Sequence, residues 1–151
     1  MRFLFVDSIT EVSSGRSIRG KKAVSYEECF LSSPYSEEGN FPIVFLLEAM
    51  AQLSSWLIQY THDFKFQPLI TGMDLVRFGG DASCGSLLSL EAELINHNEE
   101  GGVVSSRVLI NDSVVAECSR CLYCNLPLQE LNDPDEARQN FRSLCEKAKF
   151  L

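Results

Sequence analysis

Glu48 is the residue of this 151-residue chain best suited to proton transfer, a carboxylate inside the otherwise apolar run FPIVFLLEAMAQLSSWLIQY. A carboxylate held beside a ligand can serve as a general acid or base. The polar exceptions in that run are Glu48, Gln52, Ser55 and Gln59, spaced 4, 3 and 4 apart, so on a helix they form one stripe. A partner for the carboxylate is harder to find. The chain has two histidines, His62 and His97. His62 lies fourteen residues beyond Glu48, about 21 Å along a continuing helix. His97 falls between two strand signals. Neither is expected to reach Glu48 within one chain, and Glu48 in an ordinary solvated stripe stays open as the plainer alternative.

The second chemical pattern is Cys118-x-x-Cys121-x-x-Cys124, a spacing that can ligate zinc or an iron–sulfur cluster. The surrounding VVAECSRCLYCNL has the pattern of a strand. Alternation would put Cys118 and Cys124 on one face and Cys121 on the other, whereas zinc requires converging ligands. No metal and no cofactor is expected. Asp74 and Arg77 on a later strand could touch a ligand or simply face solvent.

Length and composition suit one domain able to bury a core without staples. The opening MRFLFVDSIT lacks the apolar core and cleavage site of a secretory signal. The run from Phe41 to Ile58 is interrupted by Glu48 and Gln52, which makes a poor membrane span. The chain is therefore expected to be cytoplasmic with no membrane partner, and its six cysteines to be reduced small hydrophobes. Net charge is −8, unevenly spread: residues 1–22 hold five basic and two acidic groups, residues 23–100 hold two basic and twelve acidic. That balance argues against nucleic acid. Arg16, Arg19, Lys21 and Lys22 form the one patch where an acidic partner could dock, or an ordinary charged strand edge.

The elements that must position Glu48 follow from pattern. Ser13-Ser14-Gly15 is a turn, and Arg16 to Ser25 alternates as a strand, completing a hairpin or a helix-turn followed by a strand. Residues 29–40 have loop composition, with Asn40 placed to cap the helix and Pro42 in its first turn. Phe45, Leu46 and Trp56 are expected in the core. Four antiparallel strands follow, at Pro68 to Phe78, Ser86 to Asn96, Gly102 to Ile110 and Val114 to Leu126, with a turn at Asn111-Asp112. Asp133-Pro134-Asp135-Glu136 opens a last helix whose apolar stripe is Ala137, Phe141, Leu144, Cys145 and Ala148, expected to pack on the sheet or on a partner. The expected class is α+β, a sheet wrapped on a long helix. Residues 1–130 would form this domain and 131–151 a C-terminal helical extension.

At the helix, FPIVFLLEAMAQ resembles the central-helix signature of the (3R)-hydroxyacyl-ACP dehydratases, a Met-Pro-Gly-Val start with a Glu-Ala-x-Ala-Gln core. FLFVDSITEVSSGRSIRGKKAVS and RFGGDASCGSLLSLEAEL resemble that family's opening and later sheet segments. The resemblance implies a hot-dog fold that dimerises by joining sheets edge to edge. It implies elimination of water from a 3-hydroxyacyl thioester, with a loop His and a helix Glu facing each other across the dimer. The Glu corresponds to Glu48. The His position falls on Pro34, and no histidine occurs in residues 29–40. Pro42, Ile43 and Gln52 become the expected substrate contacts, with the Ile43 backbone N–H polarising the thioester carbonyl; the family's Gly is here Ile43. Asp81, after Gly79-Gly80, stands where basic residues would favour an acyl carrier protein.

The resulting leading expectation is an acyl-thioester-binding hot-dog protein of fatty-acid or polyketide metabolism. It would be inactive alone, or half of a site completed by a His-bearing hot-dog subunit. Its ligand would be acyl-ACP or acyl-CoA, and its assembly a homodimer or heterodimer. The alternatives are an active 3-hydroxyacyl thioester dehydratase or thioesterase using Glu48, and a structural or assembly protein.

Overall fold

The computed structural model describes residues 4–30 and 39–151. β1 (Ser8–Ser13) and β2 (Ser17–Ala23) form a hairpin, and α1 (Tyr26–Phe30) follows. Cys29 is thus helical rather than part of a loop, while Pro34 and its neighbours through Glu38 lie outside the described residues. α2 (Ile43–Thr61) is the long central helix. β3 (Phe66–Phe78), β4 (Leu87–His97), β5 (Gly101–Ile110) and β6 (Ser113–Pro127) come next. α3 (Pro134–Leu144) and the short β7 (Lys149–Phe150) end the chain. This is the expected α+β hot-dog arrangement.

The sheet has seven strands in the order β3-β6-β5-β4-β2-β1-β7, antiparallel except for the β1–β7 pair. Burial alternates along β2 and the first half of β4, which places one face of each against α2. Leu46, Leu53, Leu57 and Ile58 of α2 are completely buried. By length and apolar composition α2 could cross a membrane, yet it is the core helix of this fold. Close approach of β2 to α2 requires Gly20, because a Cβ there would meet the Ser8 carbonyl at 2.8 Å and Leu53 at 3.0 Å. Asn111 and Asp112 both have positive φ, at 49° and 64°, which makes the β5–β6 connection a primed two-residue turn.

Three local expectations are corrected. Asn40 does not cap α2. It forms an isolated bridge with Ser83, and the Phe41 N–H donates to the Ala82 carbonyl at 2.7 Å, so this stretch is drawn into extended pairing before Pro42 opens the helix. Lys22 is not part of an open basic patch. It sits on the core face of β2, 5% exposed, with its ammonium 2.9 Å from Glu28 and 3.5 Å from Asp7. Burial works to raise the Glu28 pKa, but hydrogen bonds from Lys22 and Ser25 outweigh it and hold the carboxyl below its usual range.

The third correction concerns α3, which packs on α2 rather than on the sheet. Asp133 caps it by accepting from the Asp135 N–H, and Pro134 occupies its first position. Phe141 is 3% exposed and sits among Trp56, Tyr60 and Phe64 with ring centroids 5.8, 5.1 and 5.5 Å away. Arg138 reinforces the contact by donating to the Asp63 carbonyl at 2.9 Å and lying over the Phe64 ring. The helix ends at Leu144, so Ala148 lies beyond it, and β7 returns to pair with β1.

Two predictions follow from this packing. Phe141→Ala should cost about 3–5 kcal/mol in urea unfolding, because its ring fills an aromatic socket that cannot collapse easily; a loss under about 1 kcal/mol would show that α3 is not part of the cooperative core. The second concerns His62, whose ring meets His97 at 5.3 Å and Phe66 at 5.4 Å, with Nε2 buried and unpartnered. Burial first, then His97 and Lys65, lower its pKa from 6.5 against the opposing pull of Glu99. A lowered folded-state value means the fold favours neutral imidazole. The stability it contributes is present above 6.5 and is lost as pH falls through the lower folded value. Urea midpoints should therefore drop on acidification below 6.5, and His62→Phe should flatten that part of the profile.

Candidate functional site

The polar stripe of α2 survives the fold as the floor of a cleft of about 590 Å³. Glu48, Gln52, Ser55 and Gln59 all line it, as their helical spacing requires. Gln67 to Ile70, at the start of β3, form one wall. The other wall is α3 and the turn before it, including Asn132, Asp133, Glu136 and Asn140. This volume lies in the range of small-molecule sites.

Glu48 is exposed at the cleft, and its Oε1 accepts from Gln52 Nε2 at 2.8 Å. Gln52 is itself held, because its Oε1 accepts from the backbone N–H of Phe5 at 2.8 Å. Phe5 is 2% exposed, with its ring tilted against that of Phe45 at a centroid distance of 4.7 Å. A relay therefore runs from a buried backbone amide through one fixed carboxamide to the carboxylate, and it defines which way the Gln52 amide points. Gln59 is 6% exposed, and its Oε1 has no hydrogen-bond partner.

Of the sequence-derived contact residues, Glu48 and Gln52 come together in the cleft. Pro42 and Ile43 lie a turn earlier at the start of α2, with Ile43 46% exposed, and do not line it. Trp56, expected in the core, lines the cleft, while Leu46 is fully buried and Phe45 packs against the core. Asp74 and Arg77 pair with exposed Arg120 and Glu117 on the neighbouring strand. The α3 wall was missed. Its signal was present, since Asp133, Glu136, Asn140 and Ser143 are spaced 3, 4 and 3 apart, but a solvated helix face has the same pattern.

The three cysteines do not follow simple alternation. β6 bulges between Cys118 and Cys121, where three steps oppose the two from Val104 to Ser106 on β5. Cys118 and Cys121 are consequently buried on the same face with their thiols in contact, and Cys124 is exposed on the other. Burial pushes the Cys121 thiol up to about 11, so it is held protonated.

The FabA-like domain family matches residues 1–119. The chain belongs to this family. Among curated relatives of the FabA-like chain, the 3-hydroxyacyl-[acyl-carrier-protein] dehydratase FabZ of Caldicellulosiruptor bescii is 33% identical over 116 residues, covering 76% of this chain and 83% of the relative. FabZ of Moorella thermoacetica is also 33% identical over 116 residues, with 76% and 81% covered. Solved structures agree on the hot-dog fold. A Streptococcus mutans protein bound to acetyl CoA has a TM-score of 0.67 at 12% identity, covering 84% of this chain and 94% of that one. The ApeI:P dehydratase heterocomplex of Xenorhabdus doucetiae has a TM-score of 0.65 at 20% identity, covering 85% and 86%. A hot-dog-like protein of Thermanaerovibrio acidaminovorans has a TM-score of 0.64 at 18% identity, covering 85% and 92%.

The FabA-like chain thus combines a helix within the matched residues, with a carboxylate at the cleft, and a wall from α3, which lies beyond the matched residues. Removing the relay should be measurable without any substrate. Gln52→Leu should lower stability by about 1–2 kcal/mol in urea titration, since the Phe5 N–H loses its carboxamide acceptor. An unchanged midpoint would show that the relay does not hold.

Proposed function

We propose that this FabA-like chain binds acyl thioesters, carried by ACP or CoA, in the cleft beside Glu48. It serves as a half-site subunit of a 3-hydroxyacyl thioester dehydratase in fatty-acid or polyketide metabolism, with little turnover alone. The observation that carries this reading is an acyl-sized cleft reaching Glu48 in a chain with no histidine in residues 29–40. The remaining histidines, His62 and His97, pack against each other beyond the end of α2. A purely structural protein would have no need of such a cleft.

Dehydration breaks a C–H bond next to the thioester carbonyl and the C–O bond to the 3-hydroxyl, forming a carbon–carbon double bond and water. One proton must be removed and one delivered. Glu48 handles one of them, held by Gln52, and the other needs a second group, while among the described residues no histidine lines the cleft. A His-bearing hot-dog subunit would supply it. The outer edge of β3 favours such a partner, since among the described residues β3 pairs only with β6 and presents Leu69, Ile70, Leu75 and Phe78 partly exposed. Pairing there would bring a second subunit to the strand whose first residues wall the cleft.

The test is a mixed dimer with a FabZ-type subunit that keeps its His but has its own helix Glu replaced by Gln. Only a site made of Glu48 and the partner His could then turn over a 3-hydroxyacyl thioester. The mixture is expected to exceed this chain alone by at least about 100-fold, the usual contribution of one acid–base group. Glu48→Gln should abolish the gain. Robust turnover by the chain alone that survives Glu48→Ala would overturn the reading.

A further inference from the structure

Two thiols outside the cleft are brought together by backbone pairing. β2 and β4 run side by side as far as Ala23 and Leu87. Beyond that pair, the Val24 N–H donates to the Ser86 carbonyl and the Gly85 N–H donates to the Val24 carbonyl, both at 2.9 Å. Gly85 takes a φ of 83°, and the Ser86 N–H closes the turn on the Ser83 carbonyl at 3.0 Å. On the other side, Ser25 and Glu28 cap α1 reciprocally. The Ser25 N–H donates to the Glu28 carboxylate at 2.9 Å, and the Glu28 N–H donates to the Ser25 hydroxyl at 3.3 Å. Cys29 is the next residue of α1, and Cys84 lies in the turn. Two anchored backbones thus face each other, and the two thiols come within hydrogen-bonding reach. Cys29 is 2% exposed, whereas Cys84 is exposed. Cys118 and Cys121 also bring their thiols together, but both are buried in the sheet.

We propose that Cys84 and Cys29 are a modification site, which low-molecular-weight disulfides such as oxidised glutathione convert to an intramolecular disulfide. This inference is independent of the acyl-thioester reading. Cys84 meets the oxidant, because it is the exposed member of the pair. Its thiolate attacks one sulfur of oxidised glutathione, which forms a mixed disulfide and expels one glutathione thiolate. The Cys29 thiolate then attacks the Cys84 sulfur, which forms the Cys29–Cys84 bond and expels the second glutathione thiolate. Two protein thiols are oxidised and one glutathione disulfide is reduced to two thiols, which take up the two cysteine protons. Burial pushes the Cys29 thiol up, which suits it to the second step rather than the first. The bond ties α1 to a turn that already holds the approach to α2, since the Ala82 carbonyl accepts from the Phe41 N–H at 2.7 Å.

The reduced chain, incubated with oxidised glutathione and then alkylated with iodoacetamide, tests this by peptide mapping and thermal melting. A Cys29–Cys84 cross-linked peptide is expected, from a chain that still runs as a single copy on a non-reducing gel. Tm should rise by at least about 4 °C, because the bond closes a long loop in the unfolded chain. Dithiothreitol should reverse both changes. Cys29→Ser should halt the reaction with glutathione left on Cys84. Cys84→Ser, at an exposed turn position safe for folding, should abolish both the cross-link and the rise in Tm. The inference is overturned if Cys84 of the unsubstituted chain stays unmodified or keeps its glutathione. A link found at Cys118–Cys121 instead, or between two copies of the chain, overturns it as well.

Discussion

An α-helix that is apolar on nearly every side must be enclosed, and that demand on α2 organises the molecule. Leu46, Leu53, Leu57 and Ile58 are completely buried, and β2 to β6 all contact the helix. A single flat sheet face cannot cover such a helix. A twisted antiparallel sheet curls around it, and the strip left uncovered is the one where the helix carries Glu48, Gln52, Ser55 and Gln59. The cleft is thus the complement of the core, since the polar stripe faces the one direction the sheet does not close.

What stands over that strip lies beyond the residues that the family matches. α3 is bound by an aromatic cluster centred on Phe141 and by the Arg138 clamp on the α2–β3 turn. Its opposite face then lines the cleft with acids and amides. The same helix therefore contributes to the core through one stripe and lines the cleft through another. Glu48 is tied in as well, because its position depends on Gln52 and hence on the buried Phe5 amide.

The long elements were legible in the residues because their periodicity is strong and uninterrupted. The four strands after α2 lie where alternation and turn residues place them, within one or two residues at each end. Misplaced details share a cause, in that each depends on a neighbour distant in sequence. Asn40 could have capped α2 but is captured by Ser83. Lys22 looks solvated in a basic run but points inward to Glu28. Cys118 and Cys121 share a face because β6 bulges against β5, and a bulge has no signature in a run of strand-forming residues. β7, of two residues, is too short to leave a periodic trace.

The sequence by itself determined the fold family, the long buried helix, the polar stripe on it and the absence of a histidine in the segment before it. These are properties of residue type and spacing along one element, which local geometry converts directly into a face. The tertiary structure alone decided that the stripe opens into a cleft, that α3 forms its second wall and that Gln59 is buried there without a partner. Those outcomes depend on which surfaces meet, and contacts between elements up to about ninety residues apart leave no periodic mark in the chain.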